Sequence, residues 1–326
     1  MILIVSSQQD DHAVAVMRRL DQRGAPYLLL DTSAFPTKLQ LSVEYLRGER
    51  SVSLRDISRG TDIDLSTVRT AWYRRPQPLV LHSGIVDPAT SEFTFNECVE
   101  AVSGLWQIID AHWINHPVYD AAAARKLAQL KVAAEAGLTV PRTLVTNRPA
   151  EAERFFRSTP GGKFIYKSFQ NTGQAWRETR LLTAEAVKKL DDVQYAPVIF
   201  QEYIPARCDL RVTIIGEQLF AIAVYTDPQH YAFDYRMNLE TVRAETFELP
   251  RSLETALLRL MRRLNLVYGA IDMRYTPDGD YYFLEINPAG QWQFLEEKTD
   301  LRITDYFAHF LMRSSVQTPA NPPIAT

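Results

Sequence analysis

Two cysteines, Cys98 and Cys208, are all that 326 residues contain, too few and too scattered for a disulfide framework or a zinc cluster. No apolar run is long enough to span a bilayer. The first apolar stretch, Met1-Ile2-Leu3-Ile4-Val5, has no basic flank and reads as a buried strand rather than a signal peptide. A large charge of either sign is also missing. The formal net charge of −3 gives no reason to expect a nucleic-acid partner, although it leaves room for a local basic patch. Pro160-Gly161-Gly162-Lys163 lacks the Walker A spacing, and no Gly-x-Gly-x-x-Gly or Gly-x-Ser-x-Gly occurs. His112 and His116 are four apart, but Pro117 and the want of a third nearby ligand argue against zinc. What remains is a chain of ordinary globular composition, 46% hydrophobic and 23% charged, long enough for about two or three lobes. A cytoplasmic enzyme or binding protein is the expectation.

The pattern along the chain begins strand–helix–strand: residues 1–5, 12–23 and 27–30, which favours a parallel α/β unit. Strands are predicted at 39–45, 51–54 and 70–73, and a helix at 94–110 opened by a Thr94…Glu97 capping box. A helix starting at Asp120, capped by that residue, is expected to run through Lys126 and stop at Gly137. Further strands are expected at 163–167 and 198–203, a hairpin at 210–226, helices at 252–264 and 303–312, and a disordered tail at 314–326. The domain division read from this pattern is 1–117, 118–200, 201–313 and the tail.

The most informative pair of segments is Tyr268-Gly269-Ala270-Ile271-Asp272-Met273-Arg274 and Tyr282-Phe283-Leu284-Glu285-Ile286-Asn287-Pro288. They read as two strands joined by a turn at 276–280. Alternate strand residues share a face, so Glu285 and Asn287 point the same way, and the hairpin brings Asp272 near them. Two carboxylates and an amide oxygen make a hard donor set suited to Mg²⁺; the plainer alternative is a solvated polar hairpin face. Lys126 and Lys167 supply cationic groups of the kind a triphosphate needs, or are two surface lysines. Gln201-Glu202-Tyr203-Ile204-Pro205 is a strand running into a proline stop, with backbone groups that could meet a purine edge. Asp209 and Arg211 share a strand face, as a ribose and phosphate pair or as a surface ion pair of little consequence. Arg74-Arg75 and the aromatic stretch 227–237 are candidate peptide-binding surface, with packing between lobes the alternative.

The order of these features resembles the ATP-grasp superfamily: lysine helix, lysine strand, Gln-Glu-Tyr-Ile hinge, Asp-x-Arg, Ile-Asp-x-Arg, Glu-x-Asn-Pro, over about residues 115–312. The fold that resemblance implies is α/β and α+β: an N-terminal pre-ATP-grasp α/β lobe, a central lobe and a C-terminal lobe, with ATP between the last two. It also implies that Lys126 and Lys167 contact ATP, that Gln201, Glu202, Tyr203 and Ile204 line the adenine pocket, and that Asp209 meets the ribose. Asp272, Glu285 and Asn287 would bind Mg²⁺, and Arg211 would steady an acyl phosphate. Arg274, on the strand face of Asp272, could hold the substrate carboxylate, or pair with Glu285 or Asp272. The loop after Lys167 departs from the usual pattern: it has Gly173 alone among glycines, with Trp176, Arg177 and Arg180 beside it.

Trp72-Tyr73-Arg74-Arg75-Pro76, Asn115-His116-Pro117 and Asn287-Pro288-Ala289-Gly290-Gln291-Trp292 further resemble the microviridin-type peptide maturases, or graspetide ligases. That narrower resemblance implies activation of Asp or Glu side chains in a ribosomally made precursor peptide with a leader segment. Ring closure by Ser, Thr or Lys would release ADP and phosphate. A homodimer is a further expectation from the same resemblance. Two rivals stay open at this point: an ATP-grasp ligase joining a free amino acid or amine to a small acid or protein terminus, and a non-catalytic ATP- and peptide-binding protein.

Overall fold

The computed structural model describes residues 1–159, 161–169, 179–226 and 242–316. The stretch 227–237, most of the loop after Lys167, including Gly173, Trp176 and Arg177, and the tail from 317 therefore lie outside the described residues.

The N-terminal part opens with β1 (Ile2–Val5), α1 (Asp11–Asp21), β2 (Tyr27–Leu30), β3 (Leu39–Leu46), β4 (Glu49–Asp56), β5 (Thr61–Asp64), β6 (Thr70–Tyr73), α2 (Pro88–Ile108) and β7 (His112–Ile114). Strands in the order β2-β1-β6-β7 form an all-parallel sheet, while β3-β4-β5 is a separate antiparallel meander. All of β1 is buried, as a central parallel strand covered on both faces must be. Next come α3 (Pro117–Ala123), α4 (Lys126–Glu135), β8 (Thr143–Thr146), α5 (Pro149–Arg157), β9 (Phe164–Lys167), β10 (Arg180–Leu181), α6 (Ala184–Val187) and β11 (Val198–Glu202). These strands make a small sheet, β10-β9-β11-β8. The last part has β12 (Cys208–Ile215), β13 (Gln218–Tyr225), β14 (Arg243–Thr246), α7 (Arg251–Arg263), β15 (Tyr268–Tyr275), β16 (Tyr281–Asn287), α8 (Gln293–Glu296) and α9 (Ile303–Ser314). Its sheet runs β14-β13-β12-β15-β16, antiparallel throughout.

That last sheet has one apolar and one polar face. Leu210, Val212, Ile214, Ile271, Met273 and Ile286 pack against Leu257 and Leu260 of α7 and Ala133 of α4. The opposite face carries charge, described below. A second core joins the two ends of the chain: Trp72 and Ile114 of the parallel sheet and α1 meet Tyr268, Trp292 and Phe307. Ring centroids lie 4.6 Å apart for Trp72–Phe307 and 5.5 Å for Tyr268–Trp292. Aromatic pairs of this kind add about 0.5–1.5 kcal/mol beyond area burial.

Four sequence expectations are corrected. Helix α2 begins at Pro88, not Thr94; Asp87 caps it, its carboxylate accepting from the Thr90 N–H at 2.8 Å. No capping box forms at Thr94, whose hydroxyl instead donates to the Thr90 carbonyl inside the helix. The helix expected from Asp120 is two helices, with His116 rather than Asp120 as the cap of α3. The Gln129 side chain explains the break: its amide donates to the Ala123 carbonyl at 2.7 Å, replacing a helical bond, and to Ile286 of β16 at 2.8 Å. Finally, α9 continues through Ser314, into what read as tail.

Candidate functional site

The strand register brings the acidic residues together. Asp272 lies directly opposite Glu285, and Ala270 opposite Asn287. Leu284 is an extra residue on β16, since Met273 pairs with Phe283; this bulge is why the turn alone does not reveal the register. On the other side of β15, Arg211 lies opposite Asp272 and Asp209 opposite Arg274. Asp209, Arg211, Asp272 and Arg274 thus form a cross-strand charge ladder on one buried face. Arg211 Nη1 donates to Asp272 Oδ1 at 2.7 Å, and Arg274 Nε to Asp209 Oδ1 at 3.1 Å. Neither is a surface pair, so each charge is retained in the interior by its partner.

The ladder continues at both ends. Arg274 Nη1 donates to the Ile204 carbonyl at 2.6 Å, and its guanidinium lies 5.2 Å from the Tyr203 ring centroid. At the far end, Lys126 Nζ is 3.4 Å from Glu285 Oε2 and 3.3 Å from the Ser168 carbonyl. Lys126 gets there because it is the first residue of α4, a position the split helix creates. Lys167 belongs to a neighbouring group: its Nζ donates to Gln201 Oε1 at 3.2 Å, and Gln201 Nε2 donates to Thr143 Oγ1 at 2.9 Å. The N–H groups of Glu202 and Tyr203 are already bonded, to the carbonyls of Arg142 and Lys163. A purine edge along this strand would therefore meet its other backbone groups.

Strand register and three ion pairs, Asp209–Arg274, Arg211–Asp272 and Lys126–Glu285, bring these residues together, with Asn287 at the edge. Lys167 and Gln201 form a separate pair. Arg274 donates to Asp209 and to the Ile204 carbonyl. Among the described residues, no group of three His, Cys, Asp or Glu side chains is arranged to hold a metal. The donor set at β15–β16 is instead two carboxylates and the Asn287 amide, whose Oδ1 accepts from the Ala289 N–H at 2.9 Å and keeps a second lone pair. Hard oxygen donors whose carboxylates already face cationic side chains fit a magnesium ion with bound phosphates.

Sequence reasoning missed Thr143, which orients Gln201, and His12. His12 Nε2 accepts from the Trp292 N–H at 2.9 Å. Burial, with the nearby Arg74, holds its imidazole down at about 3. Asn115 is buried and binds four backbone groups: the carbonyls of Tyr268 and Pro288, and the N–H groups of Val267 and Tyr268. Nothing local in the sequence marks Thr143 or His12, and Asn115 stands out there only within the Asn115-His116-Pro117 resemblance, because each partner is far along the chain.

The RimK-like ATP-grasp domain matches residues 123–311, and the MvdD pre-ATP grasp domain matches residues 1–120. Among solved structures, the macrocyclase MdnC of Microcystis aeruginosa, bound with its precursor peptide MdnA, is similar at 29% identity. It covers 96% of this chain and 99% of that one, with a TM-score of 0.82. A RiPP-associated ATP-grasp ligase of Chryseobacterium gregarium, in complex with ADP and leader and core peptides, is 27% identical, covering 96% of both chains with a TM-score of 0.84. A probable alpha-L-glutamate ligase of Shewanella is 22% identical over 289 residues, 85% of this chain and 91% of that protein.

Proposed function

The chain belongs to the RimK-like ATP-grasp family, and from that premise we propose that it is a peptide macrocyclase that joins side chains of a ribosomally made precursor. The observation that carries this reading is the register placing Asp272 opposite Glu285, with Asn287 two residues on, beside Arg211 and Lys126. Likeness to two peptide-bound ligases over nearly the whole chain supports a peptide substrate rather than a free amino acid.

A carboxylate is a poor electrophile because its leaving group would be an oxide. In the proposed reaction an Asp or Glu carboxylate oxygen of the peptide attacks the γ-phosphorus of ATP, and ADP departs. The resulting acyl phosphate is attacked at carbon by a Ser or Thr hydroxyl or a Lys amine. Phosphate leaves, the nucleophile's proton is lost, and an ester or amide closes the ring. Lys126 and Lys167 contact the ATP phosphates and the adenine side, while Gln201, Glu202, Tyr203 and Ile204 receive the adenine and Asp209 the ribose. Asp272, Glu285 and Asn287 would hold Mg²⁺, which when bound neutralises phosphate charge. Arg211, fixed by Asp272, faces the charge that develops on the transferring group. Arg274 holds the hinge to Asp209; a substrate carboxylate would compete with Asp209 for it.

The second reading, addition of a free amino acid, draws on the likeness to a probable alpha-L-glutamate ligase. ADP release separates the two: it should depend on peptide and not on free amino acids. Glu285→Gln keeps the shape of the side chain but removes its charge, so phosphoryl transfer should be abolished in a folded protein. Wild-type turnover by that variant at ordinary Mg²⁺ would take Glu285 out of the mechanism.

A further inference from the structure

The segment that follows Asn287 is held by side chains at every carbonyl from Pro288 to Gln291. Asn115 donates to Pro288 at 3.1 Å, and Arg74 Nη1 to Ala289 at 2.5 Å and Gly290 at 2.7 Å. The Tyr268 hydroxyl also donates to Gly290, at 2.9 Å, and Arg211 Nη2 donates to Gln291 at 3.2 Å. Two of these four donors, Arg74 and Asn115, come from the N-terminal part, outside the nucleotide-binding sheets. Arg74 is the more heavily invested. Its side chain is 0% exposed, its Nε reaches Asp10 Oδ1 at 3.3 Å, and its guanidinium lies 5.9 Å and 5.7 Å from the Trp72 and Trp292 ring centroids.

We propose that Arg74 is a positioning residue for the metal edge of the nucleotide site. It acts through the 287–291 turn, setting the Asn287 amide at one end and the Gln291 carbonyl on Arg211 at the other. The turn is packed tightly on the side of Ala270 and Arg211: at Gly290 a Cβ would stand 2.3 Å from Ala270 Cβ and 2.9 Å from Arg211 Nη2. A shift of the turn toward the space Arg74 vacates would therefore move Asn287 and Arg211 together. No lysine can replace Arg74 here, because one ammonium lacks the planar fork that reaches Asp10 and two carbonyls at once.

This inference rests on the reading of Asp272, Glu285 and Asn287 as the magnesium site, so its test reads binding rather than turnover. ATP binding is titrated by calorimetry across a Mg²⁺ series, with folding followed by circular dichroism. In Arg74→Lys the half-saturating Mg²⁺ should rise about tenfold or more, the usual cost of losing an outer-shell support. Affinity for ATP without Mg²⁺ should change far less than the Mg²⁺ requirement, which a general loss of structure would not allow. A folded Arg74→Lys with wild-type Mg²⁺ dependence overturns the role of Arg74 and leaves the functional reading intact. Wild type without Mg²⁺-dependent ATP binding overturns the functional reading, and this inference with it. If Arg74→Lys does not fold, Asp10→Asn decides. Asparagine caps α1 as well as aspartate does and removes the charge that faces Arg74 and, at 3.7 Å, Arg75. A raised Mg²⁺ requirement in Asp10→Asn supports the proposal, and an unchanged one overturns it.

Discussion

Replacing Asn115 by alanine should loosen the junction between the N-terminal sheet and the nucleotide-binding part. The Asn115 amide makes four hydrogen bonds to backbone groups, at 2.8–3.1 Å. Alanine abandons two carbonyls and two N–H groups in a buried place. At about 1 kcal/mol net per bond, the loss is roughly 4 kcal/mol. Unfolding entropy of about 2.1 cal/mol/K per residue gives ~0.7 kcal/mol/K for the chain, so Tm should fall by ~6 °C if the chain melts as one unit. Tryptophan fluorescence during thermal melting is the suitable assay, because Trp72 and Trp292 are buried together at this junction. A fall of less than about 1 °C would refute the reasoning, since four bonds of ordinary worth could not then be lost.

Two further predictions follow from the same region. Gly290→Ala should destabilise by about 1–3 kcal/mol through overpacking and depress Mg²⁺-dependent ATP binding, because the new methyl collides with Ala270 and the Arg211 guanidinium; unchanged melting and binding would mean the turn can move freely. His12 should make the fold acid-sensitive. Burial first, then Arg74, with Arg75 and Arg211 helping and Asp10 opposing, lowers its value from 6.5 to about 3. The unfolded chain therefore takes up this proton more readily than the folded one. The stability it contributes is complete above pH 6.5 and is lost as pH falls from 6.5 toward 3. Urea melts of wild type and His12→Gln should diverge over that window, the wild type losing stability more steeply; parallel slopes would contradict the assignment.

What the sequence made legible was mostly local. The two-residue period put Glu285 and Asn287 on one face, and the same period joined Asp209 to Arg211. It could not say that Arg211 and Asp209 find their partners on β15, because antiparallel pairing over more than 60 residues leaves no local trace. The alanine run at 121–124 suggested an unbroken helix, and tertiary competition from Gln129 broke it just before Lys126. The true start of α2 was present as Asp87-Pro88, a capping residue followed by proline at the first helical position. Helical apolar spacing is clear only further along the segment. Gly290 stood out only as a mark of resemblance, whereas Arg74, which reads from sequence as peptide-binding surface or as packing between lobes, is buried and does the second. They meet across 216 positions, where Arg74 Nη1 donates to the Gly290 carbonyl.

The most direct test of the central claim is mass spectrometry of a candidate precursor peptide after incubation with the enzyme, ATP and Mg²⁺. Successive losses of one water, each dependent on ATP, are the predicted result and establish intramolecular condensation. An unchanged peptide mass, with ADP released on adding free amino acids instead, would contradict the macrocyclase account.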